Sequence, residues 1–229
     1  MKKPNAVFLM KPLIVLNLKT YSESTGKGAV KLCEIAREVS KETGVRIICC
    51  PQTVDLRECA KTGCEIFSQG AESFEFGAHT GANLPSALKD AGAKGIMLNH
   101  AERKMKKEEI EATVSLAHKL KLETLICSAN PSETDMAARI NPDYIAVEPP
   151  ELIGTGISVS AAKPEVITDT IKQVKSIANI PVLCGAGISN ASDVKKAIQL
   201  GTVGVLLASA YVKAKEPKKL LQEMAKACQ

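Results

Sequence analysis

Three ionisable side chains, Lys19, His100 and Glu148, each stand at or just past the end of a short apolar run. Glu148 follows the run 144–147, precedes Pro149-Pro150, and lies a few residues ahead of Gly154-Thr155-Gly156. Proline fixes φ and glycine frees it, so residues 149–156 read as a short lid, hinged at both sides, over a carboxylate. Lys19 follows LIVLNL (13–18), and His100 follows KGIMLN (94–99). A carboxylate, an imidazole and an ammonium around one pocket suit abstraction of a carbon-bound proton next to a carbonyl. The carboxylate takes the proton, and the two N–H donors stabilise the oxyanion that develops. Each residue also has an ordinary reading, as a surface glutamate, a core histidine or a solvated lysine. His79, in GAHTG, and His118, in a charged stretch, read as surface or interface groups.

Small residues add a second chemistry. Gly185-Ala186-Gly187 and Ala208-Ser209 each lie between an apolar run and a helical pattern. Backbone N–H groups exposed there, at helix starts, would hold an anion such as a phosphate.

The elements that must position these groups repeat eight times: a short apolar strand, a polar turn, an amphipathic helix. The strands are expected at 13–18, 45–50, 64–69, 94–99, 123–128, 144–147, 181–185 and 202–208. Helices are expected near 27–42, 54–62, 83–91, 106–120, 131–139, 163–178, 190–200 and 217–227. Leu32, Ile35, Ala36 and Val39 show the i, i+3, i+4, i+7 spacing of one helix face. Continuous apolar strands alternating with such helices imply a parallel sheet covered by helices, and eight units imply closure into a (β/α)8 barrel, the TIM barrel. An open doubly wound sheet is the alternative; it needs fewer units, and no GxGxxG follows the first strand. The expectation is one barrel domain over 13–229, preceded by an N-terminal extension, 1–12. In such barrels the chemistry gathers at the C-terminal ends of the strands, where all the groups above fall.

Bulk composition agrees. The 229 residues are 45% hydrophobic and 24% charged, with 3% aromatics and no Trp, so aliphatic side chains must fill the core. The net charge of +5 is spread along the chain without a basic block, which argues against nucleic-acid binding. The apolar run near the N-terminus is too short for a membrane span or a signal core. Eight cysteines, none in a CxxC pair, fall mostly inside expected helices and strands, and Cys49 and Cys50 should face opposite sides of one strand. They read as reduced, buried apolar filler of a cytoplasmic protein, with no metal expected.

NLK near the start, NHAERK after the fourth strand, VEPPELIGTG after the sixth, GAGIS and LLAS, in that order, resemble the triosephosphate isomerase family, in its compact archaeal branch. The likeness covers the chain from Leu13 onward. It implies interconversion of glyceraldehyde 3-phosphate and dihydroxyacetone phosphate through an enediolate, in glycolysis and gluconeogenesis, with no cofactor. By the same likeness Glu148 is the base, His100 the electrophile, and Asn17 and Lys19 the substrate-binding pair. Ile153, Gly154, Gly187, Ala208 and Ser209 match positions whose backbone cradles the phosphate. The likeness further implies a homo-oligomer formed through the loop after the third strand, a tetramer in preference to a dimer. The chain departs from the common pattern at Asn99 (usually Gly), Ala101 (usually Ser), Ala82 (often Glu) and in the Pro-Glu-Leu of the lid. Two other readings remain at this stage, a Schiff-base aldolase on a similar barrel and a non-catalytic sugar-phosphate sensor. The carboxylate ending strand six speaks against the first, and the intact Lys19, His100 and Glu148 against the second.

Overall fold

The structure, a computed structural model, describes residues 12–149 and 163–229. Eight parallel strands follow one another around a closed barrel in chain order: β1 (Leu13–Asn17), β2 (Arg46–Cys50), β3 (Glu65–Ser68), β4 (Gly95–Leu98), β5 (Glu123–Ser128), β6 (Tyr144–Val147), β7 (Val182–Cys184) and β8 (Gly204–Leu207). β8 pairs back onto β1 in the register Leu13 with Gly204, which completes the (β/α)8 barrel that the sequence implies. Of the expected extension, residues 1–11 lie outside the described residues.

Helices α1 (Lys27–Thr43), α2 (Leu56–Lys61), α3 (Pro85–Asp90), α4 (Lys107–Lys119), α5 (Pro131–Ile140), α6 (Pro164–Ile177), α7 (Ala191–Gln199), α8 (Ser209–Val212) and α9 (Pro217–Ala227) surround it. Pro85, Pro131, Pro164 and Pro217 each open a helix, where the missing N–H is no loss and the fixed φ is already helical. α1 buries Leu32, Ala36 and Val39 against the barrel and stops at Gly44, whose φ of 74° is left-handed. Burying a side chain of the size of Leu32 or Val39 contributes about 1.5–3 kcal/mol. Two short elements are additions to the expected pattern, a 3-10 turn at Ser22–Ser24 and α8; neither is long enough to show a helical period. Among the described residues no helix is long and apolar enough to cross a membrane.

Strand alternation divides the core in two. Leu13 and Val15 of β1 face the barrel interior with Ile48, Phe67, Met97, Leu125, Leu183 and Leu206, while Ile14 and Leu16 face the helices. Cys49 and Cys50 fall on opposite faces, as their adjacency requires. Phe67 fills the interior only because Gly95 sits opposite: a Cβ there would stand 2.5 Å from the Phe67 ring. The barrel is therefore a packed core, and ligands are confined to its rim.

The N-terminal rim, far from the expected chemistry, is tied by Arg46. Its guanidinium donates to Glu65, to Glu123 (2.7 and 3.1 Å) and to the Tyr144 hydroxyl (2.7 Å), joining the first residues of β2, β3, β5 and β6. Replacing it leaves two carboxylates side by side without their shared cation. Arg46→Met should lower unfolding stability by about 1–3 kcal/mol, between the ranges for exposed and buried pairs, because the network is only partly covered. Urea denaturation checks this, and any catalytic constants measured on the folded variant should be unchanged.

Candidate active site

Lys19 leaves β1 by a turn with φ of 48°, a left-handed conformation that residues with a Cβ adopt at a cost. Two side chains hold that turn. Asn17 Oδ1 accepts the Lys19 N–H at 3.0 Å, and Gln69 Nε2 donates to the Lys19 carbonyl at 3.0 Å. The ammonium donates to Glu102 Oε1 at 2.7 Å. Asn17 thus lies buried beneath Lys19, with its oxygen already engaged, and shapes the backbone that presents the cation.

Asn99, where the family likeness leads one to expect Gly, has φ of 58°. The position demands a left-handed residue, and Asn is among the few with a side chain that tolerate it. Its side chain also works: Nδ2 donates to the Cys127 carbonyl at 3.0 Å, and Oδ1 accepts the Met105 N–H at 3.1 Å. The turn after β4 is thereby fastened to the end of β5.

His100 follows directly and is 6% exposed. Its Nδ1 lies 3.1 Å from the Glu102 N–H, which donates to it. An acceptor nitrogen cannot carry a proton, so the ring is neutral and the hydrogen sits on Nε2. Burial, then the nearby Lys19 charge, lowers the His100 pKa and supports the same state. Nε2 faces Glu148 Oε1 at 3.8 Å.

Glu148 is 2% exposed, one residue beyond β6. Its N–H donates to the Ser128 carbonyl at 2.8 Å. Burial raises its carboxyl pKa to about 7; the Cys127 thiol beside it and the charges of Lys19 and Lys104 partly oppose the rise. Among the described residues Oε2 has no hydrogen-bond partner. Gly185 is required across from it, since a Cβ there would come within 2.5 Å of Glu148 Cγ.

The two small-residue loops complete a cleft of about 430 Å³, lined by Lys19, His100 and Glu148 on one side and by Gly185–Ser189 and Leu206–Ala210 on the other. Gly187 turns with φ of 71°, and Ser189 is pinned by its N–H and hydroxyl to Asp193, both at 2.9 Å. Ala208 precedes α8 and Ser209 opens it, so the first N–H groups of that helix lack intrahelical partners. Lys213 also lines the cleft, with its Nζ 4.4 Å above the Tyr21 ring.

The structure thus brings together Lys19, His100, Glu148, Gly187, Ala208 and Ser209 around one cleft, with Asn17 beneath it. Ile153, Gly154 and the lid beyond Pro149 lie outside the described residues. His79 stacks on Phe74 at 4.2 Å and His118 pairs with Asp143 at 3.1 Å, both away from the cleft. Sequence reasoning missed Cys127, Lys213 and Tyr21. Cys127 was findable as an inward residue near the C-terminal end of β5. Lys213 follows a helix too short to be recognised, and Tyr21 lies in a turn. Chemically, the cleft offers a proton acceptor tuned near neutrality, a neutral N–H donor, a cation and a cradle of backbone amides.

The burial of Glu148 has a consequence for stability. Its folded pKa, about 7, exceeds the ordinary 4.5, so between these values only the folded state holds the proton. Stability is therefore full below the ordinary value and is lost as pH rises through the folded one, by about 3 kcal/mol in all. Glu148→Gln should be more stable than wild type at pH 8, with the advantage vanishing by about pH 4.5. Urea unfolding at both pH values measures it.

Comparison with known proteins identifies the family. The sequence model of the family described as triosephosphate isomerase matches residues 12–227. The triosephosphate isomerase of Methanothermus fervidus is 47% identical over 216 residues, covering 93% of this chain and 97% of that protein. That of Methanocaldococcus jannaschii is likewise 47% identical over 216 residues, covering 93% and 99%. That of Methanobacterium bryantii is 44% identical over 215 residues, covering 93% and 95%.

Proposed function

The chain belongs to the triosephosphate isomerase family and is an isomerase, and on that premise we propose that Glu148, His100 and Lys19 carry out proton transfer between adjacent carbons of a bound triose phosphate. Glu148 removes a proton from C1 of dihydroxyacetone phosphate or C2 of glyceraldehyde 3-phosphate and returns it to the other carbon. His100 donates from Nε2 to the carbonyl and hydroxyl oxygens, so the enediolate forms against a neutral donor. Lys19 offsets the negative charge of the intermediate and of the phosphate. Backbone amides at Gly187, Ala208 and Ser209, with Ile153 and Gly154 of the lid, hold the phosphate.

The observation that carries this reading is the pairing of Glu148 Oε1 with His100 Nε2 at 3.8 Å on one wall of the cleft, with the proton position on His100 fixed by the Glu102 amide. A base and a donor that close can address neighbouring atoms of a small substrate. Closure of residues 149–156 would exclude water and keep the enediolate from losing its phosphate. The chain supplies base and oxyanion stabilisation itself, so the reaction calls for no cofactor. A cytoplasmic place in glycolysis and gluconeogenesis follows from the same reading.

Fast, metal-independent interconversion of the two triose phosphates is the expected activity. Glu148→Asp and Glu148→Gln should each lower kcat by about a hundredfold or more while leaving the affinity for a phosphate-bearing substrate analogue largely intact. A folded wild type that binds such an analogue and does not isomerise would sink the reading. An equal loss in binding would show that Glu148 holds the substrate and does not act on it.

We also propose a homo-oligomer, a tetramer in preference to a dimer, assembled through the segment after β3. That segment exposes Phe76 (81%) and Phe74 (41%) beside Leu116 and Leu120 at the end of α4, a surface that would gain by being covered. Phe76→Ser should shift sedimentation toward a smaller species. An unchanged sedimentation coefficient would place the interface elsewhere.

A further inference from the structure

A second constellation lies outside the cleft, between the barrel wall and its helices. Cys33 of α1, Cys49 of β2 and Cys64, just ahead of β3, bring their sulfurs within 4.8 Å of one another. Cys59 of α2 lies beside Cys33, so a fourth thiol stands next to these three. We propose that Cys33, Cys49, Cys59 and Cys64 form a binding site for one thiophilic d10 metal ion, of which Zn2+ is the biological type.

Geometry, donor chemistry and surroundings support this site. Tetrahedral thiolate ligation at about 2.3 Å puts the sulfurs roughly 3.8 Å apart, so the spacing of Cys33, Cys49 and Cys64 needs a contraction of at most about 1 Å. Cys59 and Cys64 have four residues between them, within the C-x2–4-C spacing of structural zinc knuckles. The intervening turn is made at Gly63, whose φ of 77° swings the chain from α2 into β3 and returns Cys64 toward the cluster. The donor set is all sulfur. That selects soft ions and disfavours Mg2+ or Ca2+, which require oxygen.

The surroundings suit metal loading. Cys64 is the least covered of the four, 8% exposed against 0% for the others, which gives an ion a way in. Arg37 lies alongside: its Nε is 2.8 Å from where a Cβ on Gly63 would stand, placing a positive charge next to a site that four thiolates would leave anionic. Two other polar groups lie nearby: the Glu65 carbonyl, to which the Cys64 thiol donates at 3.6 Å, and Tyr211. Its hydroxyl donates to the Leu32 carbonyl at 2.7 Å, so it stands outside the donor set.

Filler cysteines have no reason to converge, since an alanine or valine would pack each position with less chemical liability. A metal bound here would clamp α1, β2 and the α2–β3 turn together. This revises the expectation from the sequence that all eight cysteines serve only as apolar packing.

Titration of reduced, chelator-treated protein with Cd2+ tests the site, because cadmium–thiolate ligation produces a charge-transfer absorption that oxygen and imidazole ligands do not. One Cd2+ per chain with that absorption, displaced by Zn2+, and a raised unfolding midpoint on loading are the expected results. Cys64→Ala and Cys59→Ala should each weaken Cd2+ binding by at least about tenfold, whereas Cys228→Ala, at a buried cysteine remote in sequence from the four, should bind as wild type does. Wild type that folds and shows no charge-transfer absorption overturns the proposal whether or not the variants fold. So does an absorption that survives undiminished in a folded Cys64→Ala.

Discussion

Glu148 carries the constraint on which the rest of the site depends. Its carboxyl is 2% exposed, and burial is the chief cause that raises its pKa from 4.5 to about 7. A carboxylate in water would be a weak base; one stripped of water approaches the basicity that proton abstraction next to a carbonyl demands. The surroundings then have a narrow task. They must exclude solvent without offering a strong hydrogen bond that would relax the group again. Gly185 does the first by letting β7's end approach to contact distance. Oε2 accordingly has no hydrogen-bond partner among the described residues. The Cys127 thiol, a weak donor, is the compromise that the barrel interior allows.

The partner groups are fixed by backbone more than by side-chain choice. Lys19 and Asn99 both adopt left-handed φ at the ends of β1 and β4; Asn17 and Gln69 side chains hold the Lys19 backbone, and the Asn99 side chain donates to the Cys127 carbonyl of β5. Those turns aim the ammonium and imidazole into the cleft. The Glu102 amide then decides the protonation of His100 by occupying Nδ1. Glu102 therefore acts twice, through its carboxylate on Lys19 and its N–H on His100. The N-terminal rim, with Arg46 binding four strands, supplies stability at the end of the barrel where no chemistry competes for charge.

Most of this was legible in the sequence, and for a physical reason. Strand and helix periods differ, so LIVLNL and the Leu32, Ile35, Ala36, Val39 spacing announce their elements, and eight repeats announce closure. The strand-end rule then located Lys19, His100 and Glu148 without coordinates. What escaped was of two kinds. Short elements such as Ser22–Ser24 and α8 carry no measurable period, and with them went Lys213 at the cleft. Convergence across elements also escaped: Cys33, Cys49 and Cys64, with Cys59 beside Cys33, are spread over three helix–strand units, and only the wrapping of α1 and α2 against β2 and β3 brings them together. Asn99 ran the other way. It looked like a departure from the family pattern, and the structure makes it the residue that its left-handed turn accepts.

The central claim is that burial has turned Glu148 into a base poised near neutrality. Titration of its side-chain carboxyl carbon by carbon-13 NMR in the free protein, with Glu148→Gln used to assign the resonance, tests it most directly. The account predicts a midpoint near 7, well above every solvent-exposed glutamate in the same spectrum. A midpoint near the ordinary 4.5 would mean that the carboxyl is hydrated in solution, and that the cleft does not tune it.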